Sequence, residues 1–265
     1  MLTVKDLKIE FYDHGKPEIG VENISFSVNP GEILGIVGES GSGKSITALT
    51  IAGLLSRSDI KTSGRIEFFD KELLTLKRSE LRKLQGTDIS MVFQDPLSSL
   101  NPVKKIGWQV EESLRVHNIK PDKEGVSEKQ WLKERALKAL EDAGLTESEK
   151  VYNMYPHELS GGMRQRAMIA AACISNPKLL ICDEPTTALD VVTQGKIIDL
   201  LKKLNKEHNT AILFISHDLR VVNMLCDNII VLKNGHIVEN GSKDQIFNSP
   251  KDEYTKTLIE YSFMK

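Results

Sequence analysis

Three cysteines are the only thiols in this 265-residue chain, and their placement argues against several kinds of site. Cys173, Cys182 and Cys226 are widely spaced, and each stands among apolar residues. Such spacing is not typical of a disulfide framework, of a zinc site or of an iron–sulfur site. We therefore expect buried cytosolic thiols.

Long apolar runs and an excess of one charge are also missing. No uncharged apolar stretch reaches the roughly 18 residues that a membrane-spanning helix needs, and the start, Met1–Asp6, has no apolar signal-peptide core. The 35 basic and 37 acidic residues leave a formal charge of −2, which gives no reason to expect nonspecific nucleic-acid binding. We expect a chain that neither enters a membrane nor is secreted by itself, with no nucleic-acid partner.

What is present is the composition of a globular protein, 40% hydrophobic and 27% charged, long enough for one large α/β domain or two smaller lobes. Alternating apolar residues predict half-buried, antiparallel strands at 7–12 and 24–28, and further strands at 66–68 and 89–93. Continuous apolar runs predict buried strands at 33–37, 179–182 and 211–216. Asn234-Gly235 predicts a hairpin between two strands within 228–239.

Helix signals dominate from about Pro96 to Asn176, which predicts a helical insert within an α/β domain. Asn101-Pro102 predicts a helix start. Ser127 and Gln130 predict a capping box for a helix that Gly144 ends, and Ser242 with Gln245 predicts a second box near the end of the chain. Apolar spacing predicts a helix with Ile197, Ile198, Leu201 and Leu204 on one face. A last helix is predicted that carries Tyr254, Leu258 and Tyr261.

Residues 38–45, Gly-Glu-Ser-Gly-Ser-Gly-Lys-Ser, fit the phosphate-binding pattern G-x-x-x-x-G-K-[ST] at every fixed position. The alternative is an ordinary Gly/Ser-rich turn. The buried strand before this stretch and the uncharged helix expected over 46–55 favour the phosphate-binding loop, because glycines let backbone amides surround an oxyanion at a helix N-terminus. Lys44 adds a charge for the outer phosphates and Ser45 a hydroxyl for Mg²⁺. The predicted contacts to a nucleoside triphosphate here are Gly38, Ser40, Gly41, Ser42, Gly43, Lys44, Ser45 and Ile46.

Two carboxylates follow the apolar strand at 179–182. Asp183 at a strand end is a turn former or N-cap in many proteins, but together with a phosphate-binding loop it predicts a magnesium ligand. Glu184 is either a capping or surface glutamate, or the group that accepts a proton from the water attacking the γ-phosphate. Ser160-Gly161-Gly162 before an apolar helix is either a plain N-cap or a second anion site.

Together these motifs resemble the nucleotide-binding subunit of an ATP-binding-cassette (ABC) transporter, almost from end to end and in the family's order. The resemblance implies that Gln94 is the Q-loop glutamine, that 159–163 is the signature, with Ser160, Gly161, Gly162 and Met163 contacting ATP in trans, and that Ala188-Leu189-Asp190 is the D-loop. It implies that Glu184, His217, Gln94 and Lys44 are catalytic, that Ser45, Gln94 and Asp183 hold the metal, and that Phe11 stacks on adenine. Tyr12 remains an alternative for stacking, and a core histidine remains one for His217.

The resemblance also implies a fold. It is an α/β, P-loop NTPase (RecA-like) core with an N-terminal antiparallel β subdomain and an inserted α-helical subdomain. We expect a single ABC ATPase domain over 1–265, in which 1–95 and 177–241 form the core with the β subdomain. Residues 96–176 would be the helical subdomain with the signature, and 242–265 a C-terminal helical extension.

Details of the motifs resemble the oligopeptide, dipeptide and nickel importer group. Met163 stands where the commonest signature has Gln, and Ile46 where Thr is usual. Gln94-Asp95-Pro96 and Pro250 with Tyr254-Thr255 complete the similarity, while the cysteine-rich tail of larger members is not seen after Pro250.

The implied function is ATP hydrolysis, with ATP and Mg²⁺ as cofactors, in a subunit at the cytoplasmic face of the membrane. Its partners would be a second ABC ATPase in a homo- or heterodimer, membrane permease subunits, and indirectly an extracellular substrate-binding protein. Cargo would be peptides or nickel and metal chelates. The alternatives are a soluble ABC-type ATPase, a regulatory module that binds ATP without turnover, and a small-molecule P-loop kinase.

Overall fold

A computed structural model of the chain describes residues 1–13, 16–55, 59–121 and 125–263. The strands are β1 (Leu2–Asp13), β2 (Lys16–Val28), β3 (Ile33–Val37), β4 (Ile60–Phe68), β5 (Lys71–Glu72), β6 (Ile89–Val92), β7 (Leu179–Asp183), β8 (Ala211–Ile215), β9 (Asn228–Lys233) and β10 (His236–Ser242). The helices are α1 (Lys44–Ile51), α2 (Arg78–Leu84), α3 (Pro96–Ser99), α4 (Ile106–Val116), α5 (Glu128–Asp142), α6 (Ser148–Asn153), α7 (Gly161–Cys173), α8 (Val191–His208), α9 (Leu219–Leu225), α10 (Lys243–Asn248) and α11 (Glu253–Phe263).

The chain divides into two compact units. Residues 1–85 and 211–265 form the first, and residues 86–210 form the second. The predicted boundaries of core, helical subdomain and extension remain a prediction.

The first unit contains an antiparallel sheet and a mainly parallel one. The antiparallel sheet has the strand order β2-β1-β4-β5, as the alternating residues predicted. In the other sheet β3 pairs parallel with β8 and with β9, and β10 returns antiparallel to β9. Every residue of β3 and β8 is buried, which explains why these strands are apolar throughout.

The second unit combines a parallel strand pair with helices. Strand β6 pairs parallel with β7, so their carboxyl ends lie at one edge. Helix α4 packs on α5, α6 and α7, around buried apolar side chains that include Val110, Leu114, Leu132, Leu140 and Ile169. The helical character predicted for 96–176 is confirmed for the described residues of that range.

Three local predictions were wrong. The helix expected over 46–55 spans 44–51, because Gly53 adopts φ +66° and its N–H donates to the Thr50 carbonyl, which ends the helix. Asn101-Pro102 starts no helix. Instead, Asn101 forms a turn, in which its carbonyl accepts from Lys104 N and its side chain accepts from Val103 N. The helix that begins at a proline is α3.

The predicted capping box of α5 does not form. Ser127 is the N-cap, but its side chain makes no capping hydrogen bond, and the Gln130 amide donates to Glu134 instead. The second predicted box, Ser242 with Gln245 at α10, is confirmed, and so is the Asn234-Gly235 turn, whose two residues have φ of 48° and 80°.

Candidate nucleotide-binding and catalytic site

The loop from Gly38 to Gly43 joins β3 to α1 and requires glycine at two positions. Gly38 has φ +151°, and a Cβ there would lie 2.1 Å from the Leu232 carbonyl oxygen. Gly43 has φ +104°, and its Cβ would lie 2.8 Å from the Gly20 carbonyl oxygen. Neighbouring backbone atoms therefore leave no room for a Cβ at these two positions, and the loop can adopt this conformation only with glycine there.

The N-terminus of α1 has the groups expected of an anion-binding site. The N-cap is Gly43, which has no side chain to occupy the first amides of the helix. Lys44 is buried, and its Nζ donates to the carbonyl oxygens of Gly38 (2.9 Å) and Glu39 (2.7 Å). Ser42 Oγ is buried without a hydrogen-bond partner among the described residues. Amides, an ammonium and an unused hydroxyl fit a triphosphate.

Phe11 lies close to this loop. Its ring contacts Gly20, where a Cβ would lie 2.4 Å from Phe11 Cε2, and the Gly20 carbonyl in turn flanks Gly43. Tyr12 is exposed and, as the next residue along β1, points to the opposite face of the sheet. This geometry favours Phe11 over Tyr12 as the aromatic beside a nucleotide.

His217 lies at the same sheet edge as the loop. Ile36 of β3 pairs with Ile215 of β8, and Gly38 and His217 each follow two residues later. His217 is exposed. The next residue, Asp218, caps α9 and accepts from Arg220 Nε and Nη2.

In the second unit, the paired ends of β6 and β7 bring Gln94 and Glu184 together. Val92 pairs with Cys182, and Gln94 and Glu184 each follow two residues later. Gln94 Nε2 donates to Glu184 Oε2 over 3.1 Å, and Thr187 Oγ1 donates to the same oxygen over 2.9 Å. Glu184 has φ +47°, a costly conformation for a side-chain-bearing residue, of the kind that clusters at functional sites.

The donor chemistry of the predicted metal ligands fits Mg²⁺. Asp183 is a buried carboxylate at the end of β7, and Ser45 lies in the first turn of α1. No group of three or more His, Cys, Asp or Glu suited to a metal occurs in the described part of the chain. Because Mg²⁺ in nucleotide sites is typically bound by one or two carboxylates together with substrate phosphates and water, no such cluster is needed.

The predicted signature residues lie at the start of α7. Ser160 is the N-cap and its Oγ accepts from Met163 N over 3.3 Å, as a plain N-cap would. A Cβ at Gly161 would meet nothing within 4 Å, whereas one at Gly162 would lie 2.6 Å from Thr193 Cγ2. The open side of the helix terminus is therefore at Gly161.

Asp190 caps α8, and its two carboxylate oxygens accept from Thr193 N (3.0 Å) and Thr193 Oγ1 (2.7 Å). These hydrogen bonds hold the pKa of the Asp190 carboxyl below its usual value. Val191 and Val192, which follow, are 80% and 68% exposed. An apolar pair so exposed at the start of a helix is typical of a contact surface.

Comparisons with known proteins identify the family. A family model described as ABC transporter matches residues 21–187. The chain belongs to the ABC transporter family. It is an ABC ATPase. Over 98% of its length it is 44% identical to the dipeptide transport ATP-binding protein DppD of Haemophilus influenzae and 45% identical to the oligopeptide transport ATP-binding protein OppD of Bacillus subtilis.

The ABC ATPase covers 76% and 71% of those two relatives. It spans 46% of a third, the peptidoglycan transport ATP-binding protein YejF of Agrobacterium fabrum, to which it is 44% identical over 98% of its own length.

Solved structures confirm the fold class, a P-loop NTPase with an added antiparallel sheet. The ATP-binding cassette MJ0796, solved as a dimer in a post-hydrolysis state with ADP and Pi, matches with a TM-score of 0.80 at 30% identity, over 92% of this chain and 99% of that one. The cbiO1 protein of Clostridium perfringens, part of the transporter complex cbiONQ, matches with a TM-score of 0.75 at 29% identity, over 94% and 90%. None of the ABC ATPase's described helices has both the length and the apolarity to cross a bilayer.

Sequence reasoning missed several neighbours of the site. Thr187 holds Glu184 and could have been suspected from its position one turn beyond. Tyr254 accepts from Glu39 N in the loop, and Gly235 N donates to Ser42 O, although both are about 200 residues away in sequence. Contacts of that range leave no local pattern in the sequence.

Proposed function

We propose that this ABC ATPase is the ATP-hydrolysing subunit of an importer that takes up peptides through a membrane permease. The observation that carries the proposal is the similarity over nearly the whole chain to transport ATP-binding proteins for dipeptides and oligopeptides. These relatives support a peptide cargo rather than nickel or metal chelates.

The proposed roles follow from the contacts above. The loop amides and Lys44 bind the phosphates. When ATP binds, Lys44 Nζ exchanges its contacts with the Gly38 and Glu39 carbonyls for phosphate oxygens. Ser45, Asp183 and Gln94 would hold Mg²⁺, which would neutralise phosphate charge. Phe11 stacks on the adenine.

Hydrolysis needs a base for the attacking water. Glu184 is proposed for this role, oriented by Gln94 and Thr187 through their hydrogen bonds to Oε2. The Glu184 carboxylate would then accept the water proton. His217 is proposed to contact the γ-phosphate from the edge of β8.

The ATPase is proposed to work as a dimer, with a copy of itself or a related ATPase. Each chain has one phosphate-binding loop and one signature, and the signature helix has an open N-terminus at Gly161. Ser160, Gly161, Gly162 and Met163 would cover the γ-phosphate of the partner subunit. The exposed Val191 and Val192, next to Asp190, suit the dimer contact.

A groove in the second unit suits the permease. It has a volume of about 300 Å³ and a largely apolar lining that includes Met91, Phe93, Leu100, Val116 and Met168, with polar residues such as Glu112 and His117 among them. Phe93 immediately precedes Gln94, so an amphipathic permease helix in this groove would lie one residue from the Q-loop glutamine. Docking there places the ATPase peripherally at the cytoplasmic face of the membrane, with an extracellular binding protein as an indirect partner.

Affinity purification of the tagged ATPase from its own cells in mild detergent tests this proposal. We expect an integral-membrane permease to copurify, and Val116→Glu to reduce its recovery at least about tenfold, since a charge would be buried in the groove. Val126→Glu is the matched control, because Val126 is also exposed but lies outside the groove. Recovery with ribosomes or DNA and without a permease would contradict the proposal and favour a soluble ABC-type ATPase.

A further inference from the structure

Tyr254, the second residue of α11, touches the phosphate-binding loop. Its hydroxyl oxygen accepts a hydrogen bond from the Glu39 backbone N–H over 3.0 Å. Lys233, the last residue of β9, places its Nζ 4.5 Å from the centre of the Tyr254 ring. A cation over the ring face is attracted to it and helps to fix its position.

Two carboxylates fix the start of α11 and with it Tyr254. Glu239 accepts from the backbone N–H groups of Lys251 (2.8 Å) and Asp252 (3.1 Å) through its two oxygens. Asp252 Oδ1 accepts from Tyr254 N over 2.8 Å. The tyrosine is thus held at its backbone, by its ring and by its hydroxyl.

The hydrogen bond from Glu39 N acts on Lys44 through one peptide group. The Glu39 N–H and the Gly38 carbonyl belong to the same peptide unit, and that unit is planar. The Gly38 oxygen accepts from Lys44 Nζ over 2.9 Å. Fixing the N–H on one side therefore fixes the direction of the carbonyl that holds the Lys44 ammonium on the other.

Besides the Lys44 ammonium, backbone atoms from β9 and the turn after it also hold the loop. Gly235 N donates to Ser42 O over 3.1 Å, and the Leu232 carbonyl lies against Gly38. Glu39 is exposed, and its carbonyl accepts from Lys44 Nζ and from Ser42 N. Its N–H is held by the Tyr254 hydroxyl, a contact that one substitution can remove.

We propose that Tyr254 is a positioning residue for ATP binding, which couples the C-terminal helix α11 to the ammonium of Lys44. Without its hydroxyl, the Gly38–Glu39 peptide samples other orientations and the loop is binding-competent for a smaller fraction of the time. The apparent affinity for ATP is the intrinsic affinity multiplied by that fraction, so it decreases in proportion. The inference rests on the proposed binding of ATP at this loop.

The test is Tyr254→Phe, which removes one oxygen and keeps the ring over which Lys233 lies. Tyr261→Phe is the matched control, because Tyr261 is on the same helix and 71% exposed. We expect the Kd for Mg-ATP and the KM for ATP to rise about 3- to 10-fold in Tyr254→Phe, the loss of one backbone hydrogen bond. The change in kcat should be less than about twofold, and Tyr261→Phe should match the wild type in Kd and KM.

Hydrogen exchange of the Glu39 amide in nucleotide-free protein distinguishes a local change at the loop from a general loss of stability. We expect faster exchange at Glu39 in Tyr254→Phe, with the amides of β3 unchanged. Lys233→Met, which removes the charge over the ring, should shift Kd in the same direction by a smaller factor.

Equal Kd and equal Glu39 exchange in Tyr254→Phe and Tyr261→Phe would overturn the inference and leave the proposed function standing. A wild-type protein that binds no ATP would overturn both. A loss confined to kcat would also overturn it, because it would place Tyr254 in the chemical step rather than in loop ordering.

Discussion

Alanine at Gly38 should damage the loop much more than alanine at Gly41. At Gly38 the new Cβ would lie 2.1 Å from the Leu232 carbonyl oxygen and 2.8 Å from Ser42 Oγ, at φ +151°. At Gly41 the φ is +80°, and a Cβ would meet nothing within 4 Å. Comparing Gly38→Ala with Gly41→Ala therefore separates the cost of steric overlap from the cost of backbone strain.

The expected magnitudes differ by a factor of two or more. Backbone strain for alanine at positive φ is about 1–2 kcal/mol, which is the whole cost at Gly41. Overlap with the fixed backbone of β9 adds about 1–3 kcal/mol at Gly38, for a total of about 2–5 kcal/mol. With an unfolding entropy of about 2.1 cal/mol/K per residue over 265 residues, 1 kcal/mol lowers Tm by about 2 °C.

Calorimetric or fluorescence-monitored melting measures these shifts. We expect Tm to fall by about 4–9 °C in Gly38→Ala and by about 2–4 °C in Gly41→Ala. Gly195→Ala is the control, because Gly195 lies inside α8 with open space around it. There alanine should raise Tm by about 1–2 °C through its helix propensity.

Nucleotide affinity gives a second readout for the same variant. The overlap at Gly38 forces the loop out of the shape that surrounds the phosphates, so Gly38→Ala should bind ATP more weakly than the wild type and than Gly41→Ala. Equal Tm values for Gly38→Ala and Gly41→Ala would refute the reasoning, because the close backbone approach at Gly38 would then have no energetic consequence.

Three further predictions concern the second unit. Glu184→Gln keeps an oxygen that can accept from Gln94, so ATP binding should persist while steady-state phosphate release falls about 10²-fold or more; an unchanged rate would remove Glu184 from the chemistry. Gly107→Ala would place a Cβ 2.2 Å from the Tyr152 ring and should lower the free energy of unfolding by about 2–3 kcal/mol, which urea titration would measure. Burial and the hydrogen bond to Glu111 raise the pKa of Tyr152 to about 12. The stabilisation that the protonated Tyr152 hydroxyl contributes is therefore complete below pH 10 and is lost as the pH rises through 12. Tyr152→Phe should abolish one late step in the absorbance titration at 295 nm.

The parts of the fold that follow from neighbouring residues could be predicted from the sequence. The Asn234-Gly235 turn and the buried strand at 33–37 were confirmed, because turn chemistry and apolar runs act within a few residues. Asn101-Pro102 misled because a proline after asparagine suits a turn as well as a helix start. The helix-starting pair was the nearby Asp95-Pro96, whose Asp95 side chain accepts from Leu97 N.

The candidate site was predictable only in part. Gln94 and Glu184 could be named from motif resemblance, but their hydrogen bond depends on the register of β6 against β7, which no local pattern encodes. The contact between Tyr254 and Glu39 joins residues 215 apart. Such pairs are set by how the strands and helices pack, so they become visible only in the folded chain.

The central claim is that the loop at 38–45 binds a nucleoside triphosphate with the help of Lys44. Equilibrium binding of ATP with Mg²⁺, measured by calorimetry on the wild type and on Lys44→Ala, tests it most directly. The loop of Lys44→Ala keeps its amides but loses the ammonium, so we predict saturable binding of one ATP per wild-type chain and no measurable binding to the variant. A wild-type protein without saturable binding, or a variant of near-normal affinity, would contradict the account.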